Sequence, residues 1–411
     1  MKKTICLITN WYPTKENPFQ GVFFKEQAFA VSDEFNFVVV HINEHSKKSL
    51  ICKPSFIART EENNTVEYSF DLPVPINISL GDALYNFKIK RSGNGQVPGV
   101  GKYVSTKKAD YLKKRIIQLA KENIKENIDV FYCVDAQTEA FTTQCLAEAF
   151  NKPYIVSEHA PVPWPGSVIS DVIKRAIESS DLFIAISKDK IRQILLQNIK
   201  LPDICYLGNL VDETKLLCLP SNNDVKTFII VAAHSFYKNY DLFVGVMNRL
   251  TEITDCPFKV MIVGYGSNKG YSSNVEEFEE QIKNSKFADK AIMIPSVPHE
   301  QIGETLNKAD AFIMTSIQEG QPVSAMEAAC CGLPIFSTRC GGVEDYVDSK
   351  MGRIYDIIDC EGMAQGLKDY LEEKLTFDPD YIRNQVVNRF GRKAFVECFT
   401  NAFNKIIDAN D

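Results

Sequence analysis

No run in the 411 residues approaches 18 consecutive apolar side chains, so the sequence predicts no membrane-crossing helix. No C-x-x-C pair occurs among its twelve cysteines, which are scattered through apolar contexts. A chain this long needs no disulfide staples, so the expectation is reduced, buried thiols in a cytosolic protein. A basic tail and an overall basic excess are also lacking: 46 Lys and Arg face 53 Asp and Glu, a net charge of −7. That balance excludes nucleic acid as the main partner. It is uneven, with 26 basic and 24 acidic residues over 1–212 but 20 and 29 over 213–411. The opening MKKTICLITN breaks at Asn10 and Trp11-Tyr12-Pro13, too early for a signal-peptide core, and reads as a first buried strand. With 45% apolar and 24% charged residues, what remains is an ordinary globular chain of two or three domains.

Short β-branched runs without polar alternation (ICLIT, FVVV, VFYCV, YIVS, LFIAIS) fit strands of a parallel sheet covered on both faces. Helical periodicity lies between them near 20–32, 107–127, 138–150, 168–178 and 188–197. The rhythm restarts with TFIIVA, KVMIVG, AIMIP, AFIMT and PIFST, separated by helices near 239–254, 275–285, 299–308 and 322–331. Two such series predict two doubly wound Rossmann-like α/β domains facing a central cleft. The join is expected in the polar stretch Leu219 to Lys226, giving domains 1–215 and 216–387 and a terminal helical stretch 388–411.

The strongest local pattern is AFIMTSIQEGQPVSAMEAACCGLPIFST. A strand ends near Thr315, a loop carries Glu319 and Gly320, and a helix starts at Pro322. Free amides and the positive dipole end at such a helix start favour an anion such as a diphosphate. Glu327, eight residues on, falls about 80° around an ideal helix and can share a side with Glu319. Carboxylates accept hydrogen bonds from vicinal hydroxyls, so the pair suits a sugar nucleotide; the plainer alternative makes Glu319 a helix cap and Glu327 a solvated side chain. Lys238 follows TFIIVA and is placed to meet a diphosphate, or else is an exposed loop lysine. Gly264 and Gly266 follow KVMIV, where a backbone can approach a ligand closely, but Lys269 stands where a dinucleotide fingerprint needs its third glycine. Cys340-Gly341-Gly342-Val343-Glu344-Asp345 supplies another amide-rich turn at the same rim.

In order and spacing these residues resemble the retaining glycosyltransferases of family 4, which have the GT-B fold. Glu319 to Glu327 matches the E-x7-E motif with EG-x-P and EA-x-x-x-G-x-P neighbours, VGYG the VG-x-G, KNYD the lysine, and GGVED the GG-x-x-[DE] turn. In the first half, NWYPTKENPFQGVFFKEQA looks like the first strand and glycine loop. SEHAP looks like the histidine segment, IAISK the serine after a strand, and GNLVD the P-N-x-x-D stretch with Gly208 for proline. The resemblance implies that Glu319, Lys238 and His159 carry catalysis. Glu319 would meet the hydroxyls of the transferred sugar, Lys238 the diphosphate, and His159 would lie across the cleft near sugar and phosphate. Glu327 would hold the ribose hydroxyls, with Gly21, His234, Gly264, Gly266, Val297, Gly320, Gln321, Pro322 and Val323 completing the donor site. It implies transfer from a nucleotide diphosphate sugar to a glycan or lipid-linked acceptor, with retention, no cofactor and no metal. The setting implied is bacterial-type surface polysaccharide or glycoconjugate assembly, with the terminal helix crossing back onto the first domain.

One departure is the stretch Ala232-Ala233-His234, where the family usually places an arginine before the lysine; His234 or Arg339 is left to supply the second cation. That keeps open a catalytically weak sugar-nucleotide-binding subunit, or a sugar-nucleotide epimerase of the same fold. Residues 88–125 hold eleven basic and two acidic side chains. Lys107, Lys114, Lys121 and Lys125 share one helix face opposite Leu112, Ile116 and Leu119, either as a solvated face or as a peripheral contact with anionic lipid at the inner membrane face. The Gly-rich segment 91–101 would be a mobile loop near the acceptor.

Overall fold

In a computed structural model of the chain, residues 2–13, 21–47, 53–62, 64–76, 106–163, 169–266 and 275–410 are described. The Gly-rich segment 91–101 lies outside them. Two compact units form: Met1–Asn209 with Phe395–Asp411, and Leu210–Ala394.

In the first unit, strands β1 Lys3–Ile8, β2 Phe35–Lys47, β3 Ser55–Glu62, β4 Thr65–Pro75, β5 Val130–Cys133, β6 Tyr154–Ser157, β7 Leu182–Ala185 and β8 Ile204–Tyr206 form one sheet. Its order is β3-β4-β2-β1-β5-β6-β7-β8. Helices α1 Val22–Ala30, α2 Thr106–Asn123, α3 Ala136–Phe150, α4 Asp171–Glu178 and α5 Lys188–Leu195 connect the strands. Asp135, Ser170 and Ser187 start the last three by accepting backbone N–H groups of Thr138, Ile173 and Lys190. Every residue of β5, β6 and β7 is buried, as expected of parallel strands sandwiched by helices. Each fully buried Ile or Phe there contributes about 1.5–3 kcal/mol of apolar transfer.

The antiparallel pair β3–β4 has no counterpart in the sequence reading. β3 is a mostly exposed edge whose Arg59 meets Glu126 and the Tyr68 hydroxyl, so it carries no buried run to find. On α2, Leu112, Ile116 and Leu119 are buried while Lys114 and Lys121 are exposed. Lys125 lies beyond the helix end, its ammonium on the Glu122 carbonyl. The Lys107 side chain is outside the described residues.

The second unit holds, in chain order, β9 Thr227–Val231, α6 Tyr240–Ile253, β10 Lys259–Val263, α7 Val275–Lys283, β11 Ala291–Ile294 and α8 Ile302–Leu306. Then come β12 Ala311–Met314, α9 Val323–Cys330, β13 Ile335–Thr338, β14 Gly352–Tyr355, α10 Cys360–Leu371 and α11 Pro379–Phe390. All its strand pairs are parallel, in the order β11-β10-β9-β12-β13-β14. This is the doubly wound order in which the first and fourth strands are neighbours. Along β9, Phe228 and Ile230 enter one apolar layer and Ile229 the opposite one. That two-sided burial explains the unbroken apolar run.

The chain passes between units at Asn209/Leu210, ahead of the expected 215/216, because Val211 pairs with Gly391 and its N–H reaches the Phe390 carbonyl. The expected terminal stretch 388–411 is broken at Gly391, after which α12 Arg392–Asp408 begins. From Phe395 on, it belongs to the first unit, with Phe399 and Phe403 edge-on to Tyr132. Among the described cysteines six are buried, whereas five, including the Cys205–Cys398 pair with sulfurs 3.9 Å apart, are partly exposed; all are free. The expectation of buried thiols therefore meets six of the described cysteines and not the five in the edge strand β8, in loops and on half-covered helices.

Candidate functional site

The strand order places the site. From β9 the second unit winds outward to β11 and then returns to β12 on the other side, so the loops after β9 and β12 leave neighbouring strands at the switch point of the sheet order. The loop after β9 ends in a 3-10 turn, Phe236–Lys238, and the loop after β12 runs from Thr315 to Gln321. Hydrogen bonds join them, the Ile317 N–H donating to the Tyr237 carbonyl at 2.7 Å and the Thr315 side-chain hydroxyl to the Lys238 carbonyl at 3.0 Å. The Lys238 ammonium and the Ser316 hydroxyl both donate to Glu319 Oε1 at 2.6 Å. The Glu319 side chain is only 13% exposed, and its N–H donates to the Cys340 carbonyl at 2.7 Å. Glu319 is thus the meeting point of three loops rather than a helix cap.

The third loop explains its own glycines. Gly342 has φ +71°, and a Cβ there would lie 2.2 Å from the Gly320 carbonyl oxygen. Only glycine allows this turn to close on the Glu319-Gly320 segment. Helix α9 begins at Val323 with Pro322 as the flanking residue, one position later than expected, and no side chain caps it. Its first N–H groups and dipole end are therefore left without a capping side chain beside the Glu319–Gln321 loop.

Glu327 is 7% exposed, not a solvated carboxylate, and accepts from His299 Nε2 at 3.1 Å. His299, in the 3-10 turn His299–Gln301, was not found by sequence reasoning; its signal was adjacency to Val297 in VPHEQ. Val297 itself packs against the apolar layer under α9, and Gln321 is buried.

Three expected site residues have structural roles of their own. Gly264, at φ +84°, donates to the Ile294 carbonyl, and Gly266 to the Pro295 carbonyl at 2.8 Å. A Cβ on Gly266 would already press on Pro295 at 3.1 Å, so here the backbone that approaches closely is the protein's own. The His234 ring stacks on Phe278 at 4.6 Å and lies beside Tyr240, inside an aromatic cluster. Arg339, by contrast, is largely exposed just after β13, 3.7 Å from Asp356, at the same end of the sheet as Lys238.

In the first unit, Gly21 starts α1 at φ +65°, and a Cβ there would lie 2.2 Å from the Trp11 carbonyl oxygen. Residues 14–20, the rest of the expected glycine loop, lie outside the described residues. His159 follows β6; its ring is edge-on to Phe24 at 4.8 Å and has the Asn209 side chain as a polar neighbour, though among the described residues no hydrogen bond of good geometry ends on either ring nitrogen. Burial, reinforced by the Lys190 charge, lowers its pKa to about 3, so the imidazole is neutral. Among the described residues no cluster of His, Cys, Asp and Glu is arranged to hold a metal, and no helix is long and apolar enough to cross a membrane.

Two Rossmann-like α/β units with parallel sheets define the GT-B fold. Sucrose-phosphate synthase from Thermosynechococcus elongatus superimposes with a TM-score of 0.70 over 99% of this chain and 100% of that one, at 15% identity. Anabaena HepE, solved with UDP and glucose, does so with a TM-score of 0.64 over 98% and 100%, at 14% identity. Residues 218–389 match the family model of the glycosyl transferases group 1, and the match falls wholly within the second unit. A phosphatidylinositol N-acetylglucosaminyltransferase subunit of Arabidopsis thaliana is 23% identical over 60% of this chain and 56% of its own length. The human protein of the same name is 26% identical over 42% and 33%. 2-Deoxystreptamine N-acetyl-D-glucosaminyltransferase of Streptomyces fradiae is 27% identical over 32% and 30%. The chain thus spans about half the length, or less, of these curated relatives.

Proposed function

We propose that the protein is a retaining glycosyltransferase that moves a hexose-type sugar from a nucleoside diphosphate donor to a glycan or lipid-linked acceptor in glycoconjugate assembly. The observation that carries this reading is the Lys238–Glu319 pair at the switch point of the second sheet, beside the uncapped start of α9. An ammonium and free helix amides suit the charge that builds on a leaving diphosphate. Both bonds to the Glu319 carboxylate end on Oε1, leaving Oε2 for a sugar hydroxyl. Glu327 is assigned to the ribose hydroxyls, with His299 steadying its carboxylate. Gly320, Gln321, Pro322 and Val323 present backbone to the phosphates, and His159 and Gly21 of the first unit serve the transferred sugar and the acceptor loop. No step in this reading calls for a cofactor or a metal.

The stack on Phe278 favours Arg339 over His234 as the second phosphate cation. The donors named for similar proteins, UDP with glucose and N-acetylglucosaminyl groups, make UDP-N-acetylglucosamine and UDP-glucose the first to test. A donor that binds only the folded chain raises its melting temperature, so one of a panel of nucleotide sugars is expected to shift it by several degrees at 100 times its Kd. No shift with any of them contradicts the reading.

The exposed Lys114 and Lys121 on α2 support a peripheral, cytoplasmic-face contact with anionic lipid. Lys107→Glu, Lys114→Glu, Lys121→Glu is expected to abolish binding to phosphatidylserine liposomes, which in the native chain weakens as salt is added. About 1 kcal/mol per charge is at stake. Native protein that ignores such liposomes at low salt contradicts the contact.

A further inference from the structure

The segment that follows His159 is held in an unusual way. Ala160, Pro161 and Val162 belong to no strand or helix, yet four of their main-chain polar groups bond to buried side chains from α3, from α5 and from Glu158, just after β6. Ala160 N–H donates to Glu158 Oε1 at 2.7 Å, and the Ala160 carbonyl accepts from the Lys190 ammonium. The Pro161 carbonyl accepts from Gln137 Nε2 at 2.9 Å, and Val162 N–H donates to Gln193 Oε1 at 2.9 Å. The four side chains are also bonded to one another, Gln137 to Glu158 Oε2 and Lys190 to Gln193 Oε1, each at 3.2 Å.

Glu158 and Lys190 are fully buried, and Gln137 and Gln193 are 6% and 5% exposed. Burial pushes both ionisable groups toward neutrality, raising the Glu158 pKa and lowering that of Lys190. Loops are normally held by their own backbone or by water, so burying four such polar side chains around three residues is a large cost concentrated on one spot. The His159 ring, by contrast, rests on the rings of Phe23 and Phe24 with the Asn209 side chain as a polar neighbour, and among the described residues no hydrogen bond of good geometry ends on its nitrogens. Its position therefore depends strongly on the backbone that carries it.

We propose that Gln137, Glu158, Lys190 and Gln193 form a clamp that places the His159 imidazole, and are positioning residues for the transfer reaction. This rests on the reading that His159 serves the transferred sugar. The groups acting on the ring are the Lys190 ammonium and the Asn209 side chain, and Glu158, Asp189 and Asp135 act in turn on Lys190. Loosening the clamp admits water, relieves the burial that holds the ring neutral and lets it protonate at higher pH.

The test uses the full chain with Gln193→Leu and Gln137→Leu, and Gln193→Asn should the leucine variant fail to fold. In NMR spectra of histidine-labelled protein, His159 is expected to shift and to begin titrating between pH 5 and 7, roughly its unperturbed range, with the other four histidines unchanged. UDP release from the donor that stabilises the native chain is expected to fall roughly 10- to 100-fold in kcat, with little change in KM. The same change added to His159→Ala is expected to cost nothing more. An unmoved His159 resonance, or equal losses with and without the imidazole, overturns the clamp. A native chain that turns over no nucleotide sugar fails the proposed function instead, and the NMR arm still decides the clamp.

Discussion

Glu319→Ala is expected to cut turnover by roughly 100- to 1000-fold, the usual effect of removing one group that stabilises a transition state. The carboxylate has two tasks in this account. It takes the Lys238 ammonium and the Ser316 hydroxyl on one oxygen and offers the other to the sugar. Losing it frees the lysine as well as the sugar hydroxyl. Glu327→Ala should act differently. In the proposed reading its carboxylate holds the ribose, which does not react, so KM for the donor is expected to rise with kcat nearly unchanged. Hydrogen bonds to a charged group contribute about 1.5–3 kcal/mol, a rise of roughly 10- to 150-fold. Steady-state kinetics on both variants, with circular dichroism as the control for folding, separates the two roles. Native rates in both would remove the assignment.

Lys238→Ala is the second large loss. The ammonium is 29% exposed, so its pairing with Glu319 adds little to stability, and the melting temperature should move by only a degree or two. Its weight falls on the leaving diphosphate, and kcat/KM should drop by about 100-fold or more. Lys238→Arg should rescue poorly: the site presents a single carboxylate oxygen at 2.6 Å, and a planar fork cannot occupy the place of a compact ammonium. Full activity in the arginine variant would mean that charge alone matters there. Unaltered kcat/KM in the alanine variant would point to Arg339 as the main cation.

The fold was legible wherever burial leaves a periodic mark. The runs FVVV, YIVS and TFIIVA are apolar on both faces because helices cover both faces of the sheets, and the helices between them fall close to where periodicity placed them. The exposed edge strand β3 and the short β14 carry no such mark. Glu319, Glu327 and Lys238 were selected because strand ends, glycine turns and a proline at a helix start are visible in one dimension. What spacing could not show was which side chains meet. His299 lies 28 residues from Glu327, and the clamp gathers Gln137, Glu158, Lys190 and Gln193 over 56 residues. Those contacts exist only because parallel strands bring distant loops to one edge. Glycine was ambiguous for a related reason: Gly21 is required by the Trp11 carbonyl and its positive φ, and Gly266 lies tight against Pro295, whether or not a ligand comes near.

Product formation tests the central claim most directly. The full chain is incubated with UDP-N-acetylglucosamine and, in parallel, with the nucleotide sugar that most raises its melting temperature, each with a lipid-extract or glycan acceptor. UDP release and the anomeric signals of the product are followed by NMR. The account predicts nucleoside diphosphate release that depends on acceptor and on Glu319, and a product whose anomeric configuration matches the donor's. Sugar nucleotide that binds but is never consumed, or that returns as its epimer with no acceptor glycosylated, would contradict it.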